Sequence, residues 1–166
     1  MHLEHPQLIF LQPEWKHGLV PLPRDYTDLM NLSANFSCSN SVTGESKTPA
    51  LCLVCGAMVC SHSHCCEALL DGHRCGGCTA HARTCGADIG IFLRIRECIV
   101  VIHSKVTRGE SWITIIPLII GLGIIMSTSG TFLPAPYIDE YGEADKGLKR
   151  GNPLYLDQEK YEELNR

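Results

Sequence analysis

The middle third of this sequence is crowded with side chains that bind soft metal ions. Eight of the ten cysteines and four of the eight histidines lie between Cys52 and Cys85. Pairs spaced C-x-x-C or C-x-x-H can reach one tetrahedral ion, because a tight turn puts both donors on the same side of the chain. Two such half-sites, Cys52-x-x-Cys55 and Cys78-x-x-His81, have twenty-two residues between them. The pattern predicts a structural zinc site, closed by four protein ligands and without the open position of a catalytic ion.

Glycines stand beside both half-sites. Gly56 follows the first pair, and Gly76 and Gly77 precede the second. A backbone that bends around an ion needs positive φ angles, which glycine adopts without steric cost. We expect positive φ at these positions.

Two other uses of the cysteines fit less well. Disulfides require an oxidising compartment, and Met1 to Trp15 lacks the basic and apolar regions of a signal peptide. A catalytic thiol normally has a single orienting histidine, whereas here many soft donors compete for metal. Some donors are expected to be solvated bystanders, namely His62, His64 and His73.

Length and charge limit the possible functions. The 166 residues allow one domain, or a small domain with tails, and the net charge is −4. Lysines and arginines are scattered and form no basic stripe, and no H-x-x-x-H follows the cysteines at finger spacing, which argues against nucleic acid as a partner. Aromatic residues make up only 7%. We therefore expect bound metal to supply part of the folding free energy.

The flanking segments predict short helices and strands. Residues 25–35 have helical apolar spacing, with Asp25 or Arg24 expected near the cap of that helix, and Asp157 is the predicted N-cap of a final helix. Residues 50–60 resemble a metal-knuckle hairpin, and residues 90–102 read as one long strand or as two with a break near Glu97. The sequence thus predicts an α+β fold, a small zinc-stabilised β-rich domain with short flanking helices.

An apolar stretch interrupts this pattern after residue 110. No charged residue occurs from Ser111 to Ile138, and the fifteen residues from Trp112 to Met126 are nearly all apolar. A membrane-spanning helix needs about twenty such residues, and Pro117 breaks this run. We favour a buried strand pair or a poorly ordered insert, and a membrane anchor is the alternative.

Several cysteines fall outside the two half-sites. Cys65 and Cys66 are adjacent, and we expect that one ligates while the other packs as a small apolar side chain. Cys98 is expected to be a core thiol, and Cys38 lies outside the donor cluster.

Blocks of this sequence resemble the C-terminal end of the UBR-type N-recognins, the large RING-type ubiquitin ligases of the N-degron pathway. The first blocks are P-A-L-C-L-V-C-G (49–56), C-T-A-H-A-R-T-C-G (78–86) and G-I-F-L-R-I-R-E-C (90–98). A later block, P-Y-I-D-E-Y-G-E-A-D-K-G-L-K-R-G-N-P-L-Y-L (136–156), is similar to the very end of the same proteins.

The resemblance implies a zinc-stabilised module with enough donors for one or two structural Zn²⁺ ions. Our preferred four-ligand group is the pair of half-sites, and Cys75 is left out because it stands in a loop where relatives vary. The expected metal ligands are Cys52, Cys55, Cys60, Cys65, Cys66, Cys78, His81 and Cys85.

In these ligases the UBR box and the RING lie upstream of the resembling segment. The implied role is therefore structural: the chain would pack on the RING and substrate-recognition regions, would meet the ubiquitin-conjugating enzyme only indirectly, and would not transfer ubiquitin alone. The implied location is cytoplasmic, nuclear or both. The alternative function is a stand-alone zinc-bearing interaction module that binds a peptide or ubiquitin through an exposed face of residues 90–102.

The resemblance also suggests boundaries. Residues 1–23 form an extended lead-in, residues 24–109 the zinc-binding domain, and residues 131–166 the C-terminal part of that domain. Residues 110–130 have no counterpart in the resembling proteins. Our hypothesis is that they are translated non-coding sequence or a splice variant, and sequencing of the mature transcript across this stretch tests it.

Overall fold

The fold is described from a computed structural model that covers residues 18–38, 40, 48–61, 64–70, 72–104, 125–127 and 130–166. It contains three short helices and three β-sheets, so the expected α+β class is confirmed. The helices are α1 (Tyr26–Ala34), α2 (Gly77–Cys85) and α3 (Gln158–Leu164).

The described strands are β1 (Pro49–Cys52), β2 (Met58–Cys60), β3 (Ala68–Leu70), β4 (His73–Cys75), β5 (Ile89–Arg94), β6 (Ile99–Ser104), β7 (Ile125–Ser127), β8 (Gly130–Pro134), β9 (Tyr137–Ile138) and β10 (Tyr155–Leu156). Six of them form the main sheet in the order β2-β1-β5-β6-β8-β7, with every neighbouring pair antiparallel. Two small hairpin sheets pair β3 with β4 and β9 with β10.

Alternation along the central strands divides the apolar side chains between the two faces of the sheet. Leu51 pairs with Leu93, Leu93 with Val100, and Val100 with Leu133, so these four side chains form a row on one face. This row belongs to the larger core, which also contains side chains of α1 and α3. The opposite face is covered by α2, which packs over a smaller apolar cluster that includes Phe92.

The predicted break near Glu97 is confirmed. A 3₁₀ turn, Ile95–Glu97, separates β5 from β6, and Cys98 closes it with a φ of 49°. Cys98 is fully buried in the larger core, as expected. Because β5 and β6 lie inside the sheet with buried side chains on both faces, the exposed face postulated for residues 90–102 is not found.

The cap predictions for both flanking helices are confirmed. Asp25 accepts a hydrogen bond from the Thr27 amide at the start of α1. Asp157 accepts from the amides of Glu159 and Lys160 at the start of α3. Each cap satisfies an amide that has no acceptor within its own helix.

Hydroxyl groups of buried tyrosines connect the segment before α1 to the core and to α3. Tyr137 donates to the Pro23 carbonyl oxygen at 2.7 Å, and Tyr161 donates to the Val20 carbonyl oxygen. Tyr26 donates to a carbonyl oxygen of the 3₁₀ turn and packs edge-on against Tyr137, with ring centroids 4.8 Å apart. Burial raises the pKa of Tyr26 and of Tyr137 above the ordinary tyrosine value, so both hydroxyls stay protonated donors.

None of the helices that the structure describes is long and apolar enough to cross a membrane. Most of the apolar run that raised this question, namely residues 112–124, lies outside the described residues. Its end, Ile125–Ser127, forms strand β7 at the edge of the sheet.

Candidate metal centres

Two groups of four sulfur or imidazole donors come together around α2 and the β1–β2 hairpin. Within each group, all donor atoms lie within 4.8 Å of one another. Centre A consists of Cys52, Cys55, His81 and Cys85, and centre B consists of Cys38, Cys60, Cys65 and Cys66. Both arrangements could hold a metal ion.

Centre A joins the hairpin to the second half of α2. Cys52 ends β1 and Cys55 stands in the turn that follows, where Gly56 has a φ of 80°, as expected. His81 and Cys85 are four residues apart on α2 and therefore lie on one face of the helix. The turn and the helix face thus contribute two donors each.

The distances in centre A fit a tetrahedral ion. Metal–sulfur bonds of about 2.3 Å at tetrahedral angles hold two sulfurs about 3.8 Å apart. The Sγ atoms of Cys52 and Cys85 are 4.0 Å apart, and Cys55 Sγ is 3.3 Å from His81 Nε2. The His81 ring also contacts Phe92 edge-on, at a centroid distance of 6.0 Å, which restrains its orientation.

Centre B joins three separate parts of the chain. Cys38 follows α1, Cys60 ends β2, and a 3₁₀ turn (His64–Cys66) carries the other two thiols. The Sγ atom of Cys38 is 3.7 Å from that of Cys65 and 3.4 Å from that of Cys66. These separations are again those of sulfurs around one tetrahedral ion.

The structure brings both adjacent cysteines into one donor group, whereas we expected one to ligate and the other to pack. The Sγ atoms of Cys65 and Cys66 are 3.8 Å apart and belong to the same group. In an extended strand, successive side chains point to opposite faces. The 3₁₀ turn instead rotates both side chains toward Cys38.

Cys78 is the expected ligand that the structure leaves outside both groups. It is buried in the smaller core beneath α2, 5% exposed, and burial raises the pKa of its thiol to about 11. Cys78 lies three residues before His81, about 4.5 Å along the helix axis. The structure brings His81 and Cys85 of α2, and not Cys78, together with Cys52 and Cys55 of the hairpin, so it does not form the group that the two half-sites suggested.

Cys38 is the donor that sequence reasoning missed. It is 4% exposed and stands 14 residues before the first C-x-x-C pair, separated from it by a polar loop. Its spacing carries no motif, because a ligand can be supplied by any segment that the fold brings near. The usable signal was the donor count: Cys60, Cys65 and Cys66 need a fourth ligand once centre A is complete.

Glycine next to centre B serves close packing. The expectation of positive φ at Gly76 is wrong, since its φ is −74°, and Gly77 also has no positive φ. A Cβ atom at Gly77 would lie 2.6 Å from the Cys60 carbonyl oxygen and 3.1 Å from Cys66 Cβ. Gly77 therefore allows the start of α2 to approach centre B.

The crowded thiols affect one another's ionisation. Burial, and then the neighbouring thiols of Cys55 and Cys52, raise the pKa of Cys85 to about 12. Burial also raises the pKa of Cys66. Burial acts in the same direction on Cys38, but hydrogen bonds with Cys60, Cys66, the Asn40 backbone and Cys65 together outweigh it and lower the pKa of Cys38 to about 7. Four thiolates this close repel one another, so a divalent cation is needed to hold them all ionised.

The remaining candidate donors play other roles or are not described. The Cys75 thiol lies 3.4 Å from the Ala68 carbonyl oxygen within the β3–β4 hairpin, outside both centres. His62 and the side chains of His64 and His73 lie outside the described residues, so their predicted solvation stays a prediction.

A family model and several known proteins match the chain across both centres. The model named Proteolysis_6 C-terminal matches residues 2–114 and 122–166. The E3 ubiquitin-protein ligase UBR2 of Mus musculus is 42% identical over 154 residues, which is 93% of this chain and 8% of that protein. UBR1 of Homo sapiens is 40% identical over 163 residues, 98% of this chain and 8% of that protein. The ubr1 ligase of Schizosaccharomyces pombe is 35% identical over 150 residues, covering 90% and 6% respectively.

Proposed function

This chain belongs to the Proteolysis_6 C-terminal family, and on that premise we propose that it is the C-terminal zinc-binding module of a RING-type ubiquitin ligase that recognises N-degrons. The chain spans about 8% of the length of the UBR1 and UBR2 relatives it matches. Its proposed role is structural: it keeps the RING and substrate-recognition regions of the ligase in register. The ubiquitin-conjugating enzyme is an indirect partner, and the proposed location is the cytoplasm, the nucleus or both.

The observation that carries this proposal is the pair of complete four-donor groups in a segment that matches ubiquitin ligases. Four protein ligands leave no open coordination position, so neither centre can activate water or substrate. A closed centre contributes folding free energy instead. Centre B joins α1 to the β1–β2 hairpin, and centre A joins the hairpin to α2, so the two ions cross-link elements distant in sequence.

Zinc is the proposed ion at both centres. Four thiolates, or three thiolates with one imidazole, are typical ligand sets for structural Zn²⁺, and the donor separations match its tetrahedral geometry. The proposed ligands differ from the sequence-based set by one exchange, with Cys38 in place of Cys78. Two ions per chain are therefore proposed.

Removal of metal should unfold the region that the centres hold together. Structural zinc contributes on the order of 10 kcal/mol, which is comparable to the whole stability of a small domain. A strong chelator should abolish the near-ultraviolet circular dichroism and collapse the amide chemical shifts of residues 48–98. Retention of native spectra by a metal-free sample would contradict the structural role.

Complementation in trans tests the proposed place in the ligase. A UBR2 ligase truncated before its matching segment is combined with this chain, and degradation of an N-degron reporter is measured. We expect the wild-type chain to restore degradation and the double variant C52S/C85S to fail. The matched control is Cys75→Ser, which removes a thiol outside both centres and should rescue like wild type.

Each outcome of that experiment separates the proposal from the alternative function. Failure of the wild-type chain to rescue, together with stable binding to unrelated proteins, would support a stand-alone zinc-bearing interaction module. Equal rescue by wild type and by C52S/C85S would show that centre A has no role in the ligase.

A further inference from the structure

A cavity of about 170 Å³ lies between the start of α2 and the sheet, separate from both metal centres. Its floor is the face of the sheet that carries Arg94, Val101 and Phe132, and residues 76–79 at the start of α2 form another wall. Neither the family match nor the metal centres account for this cavity.

Arg94 in the cavity wall is buried and has more hydrogen-bond donors than acceptors. The residue is 7% exposed. Its Nε donates to Ser61 Oγ at 2.8 Å, and its Nη1 donates to Glu97 Oε2 at 2.8 Å. The guanidinium also lies over the Phe132 ring, 5.7 Å from its centroid. A guanidinium has five N–H donors, and within the part of the chain that the structure describes, the other three form no hydrogen bond. Buried donors without acceptors are costly, so Arg94 is poised for a further acceptor.

The other polar groups around the cavity also favour a negative ligand. None of the described residues that line it is an aspartate or a glutamate. Gly76 provides no side-chain cap for α2, and the residues of the first turn line the cavity. Exposed amides at a helix N-terminus carry a partial positive charge that adds to the guanidinium.

We propose that this cavity binds a carboxylate from another protein segment, held by the remaining N–H groups at the edge of the Arg94 guanidinium and by the first turn of α2. A planar guanidinium matches the two oxygens of a carboxylate. Glu97 already offsets part of the positive charge, which favours a ligand of one negative charge over a phosphate dianion. Val101 and Phe132 supply apolar walls for the methylene groups behind that carboxylate. The inference does not depend on the proposed ligase function.

Sodium acetate is the probe for the binding test, with sodium chloride at the same ionic strength as the reference. The full chain, labelled with ¹⁵N, is titrated while amide and arginine side-chain chemical shifts are recorded. We expect saturable shifts at Gly77, Cys78, Thr79 and the Arg94 side chain. Linear shifts spread over exposed lysines and arginines would overturn the proposal, since they indicate general charge attraction only.

A matched pair of variants tests the role of the buried guanidinium. Arg94→Gln should weaken acetate binding by about tenfold or more, because charge-assisted hydrogen bonds are lost. Arg96→Gln removes an exposed arginine two residues away and should bind like wild type. Equal binding by wild type and R94Q would overturn the proposal. If R94Q does not fold, the location of the saturable shifts in the wild-type spectrum decides.

Three further probes define the ligand. Inorganic phosphate should bind more weakly than acetate, and the reverse order would overturn the assignment to a carboxylate. A capped dipeptide with a free C-terminal carboxylate is compared with an amidated one that carries an aspartate side chain. Binding of one of the two dipeptides identifies the carboxylate as a C-terminal or an aspartate carboxylate. If acetate binds and neither dipeptide does, the proposal that a protein segment occupies the cavity is overturned.

Discussion

Replacement of Cys38 by serine tests most directly how the structure groups the donors, and Cys78→Ser is its matched control. Both side chains are buried cysteines, 4% and 5% exposed, but only Cys38 lies within a four-donor group. A sequence-based ligand set predicts the opposite behaviour of the two variants. We expect C38S to bind one metal ion per chain and C78S to bind two.

The expected loss follows from what centre B connects. Even outer-shell changes around a metal cost 10- to 100-fold in affinity, so loss of the direct ligand Cys38 should exceed about 100-fold. Cys38 and Cys60 are about 22 residues apart, and closing a loop of that length contributes about 3 kcal/mol by the chain-entropy account. C78S places a hydroxyl in the smaller core without breaking a cross-link, at a cost of about 1 to 2 kcal/mol.

Native mass spectrometry of the intact chain counts the bound ions, and denaturant titration measures stability. C38S should lose one ion and unfold at a markedly lower denaturant concentration than C78S. Two retained ions in C38S, or the loss of an ion in C78S, would refute the grouping of donors described above.

Three further substitutions and one control variant test the surrounding fold by denaturant titration at neutral pH. Gly77→Ala should lower the free energy of unfolding by about 1 to 3 kcal/mol, because the new Cβ would meet the Cys60 carbonyl oxygen at 2.6 Å. Gly76→Ala, where nothing lies within 4 Å of the new Cβ, should not lower it, and equal losses in both variants would contradict the close approach. Tyr26→Phe removes one of the two hydrogen bonds to the Ile95 carbonyl oxygen and leaves only the bond from the Cys98 amide, so we expect a loss of about 0.5 to 1.5 kcal/mol and would abandon that account if stability were unchanged. Asp139→Asn should also destabilise the chain, because the Asp139 carboxylate accepts hydrogen bonds from the backbone amides of Glu143 and Tyr141. The bond from Glu143 is the largest cause of the lowered pKa of Asp139, and both bonds favour its ionised form. Wild-type stability in the variant would count against that role.

The sequence predicted local structure wherever the interacting residues are close neighbours in the chain. The caps at Asp25 and Asp157 follow from aspartates placed just before amphipathic segments, since the bonds they make reach only two or three residues ahead. The break between β5 and β6 and the core position of Cys98 also followed from the local pattern. Most donors of the two centres were among the ligands predicted from residue type, spacing and the family resemblance.

The division of donors between ions depended on contacts between distant parts of the chain. The sequence-based grouping differs from centre A because both C-x-x-H and H-x-x-x-C spacings place donors on one face of a helix, and only the position of α2 on the sheet selects the second. The same packing buries Cys78 beneath α2.

The sequence by itself determined that this is a small α+β chain rich in soft metal donors, because residue types and short-range spacing encode metal chemistry and helix ends. Only the tertiary structure decided that Cys38 completes centre B, that Gly77 lets α2 approach it, and that Arg94 is buried beside a cavity. Each of these outcomes requires segments that no local pattern brings together, since sheet register and helix docking are set by burial of the whole core.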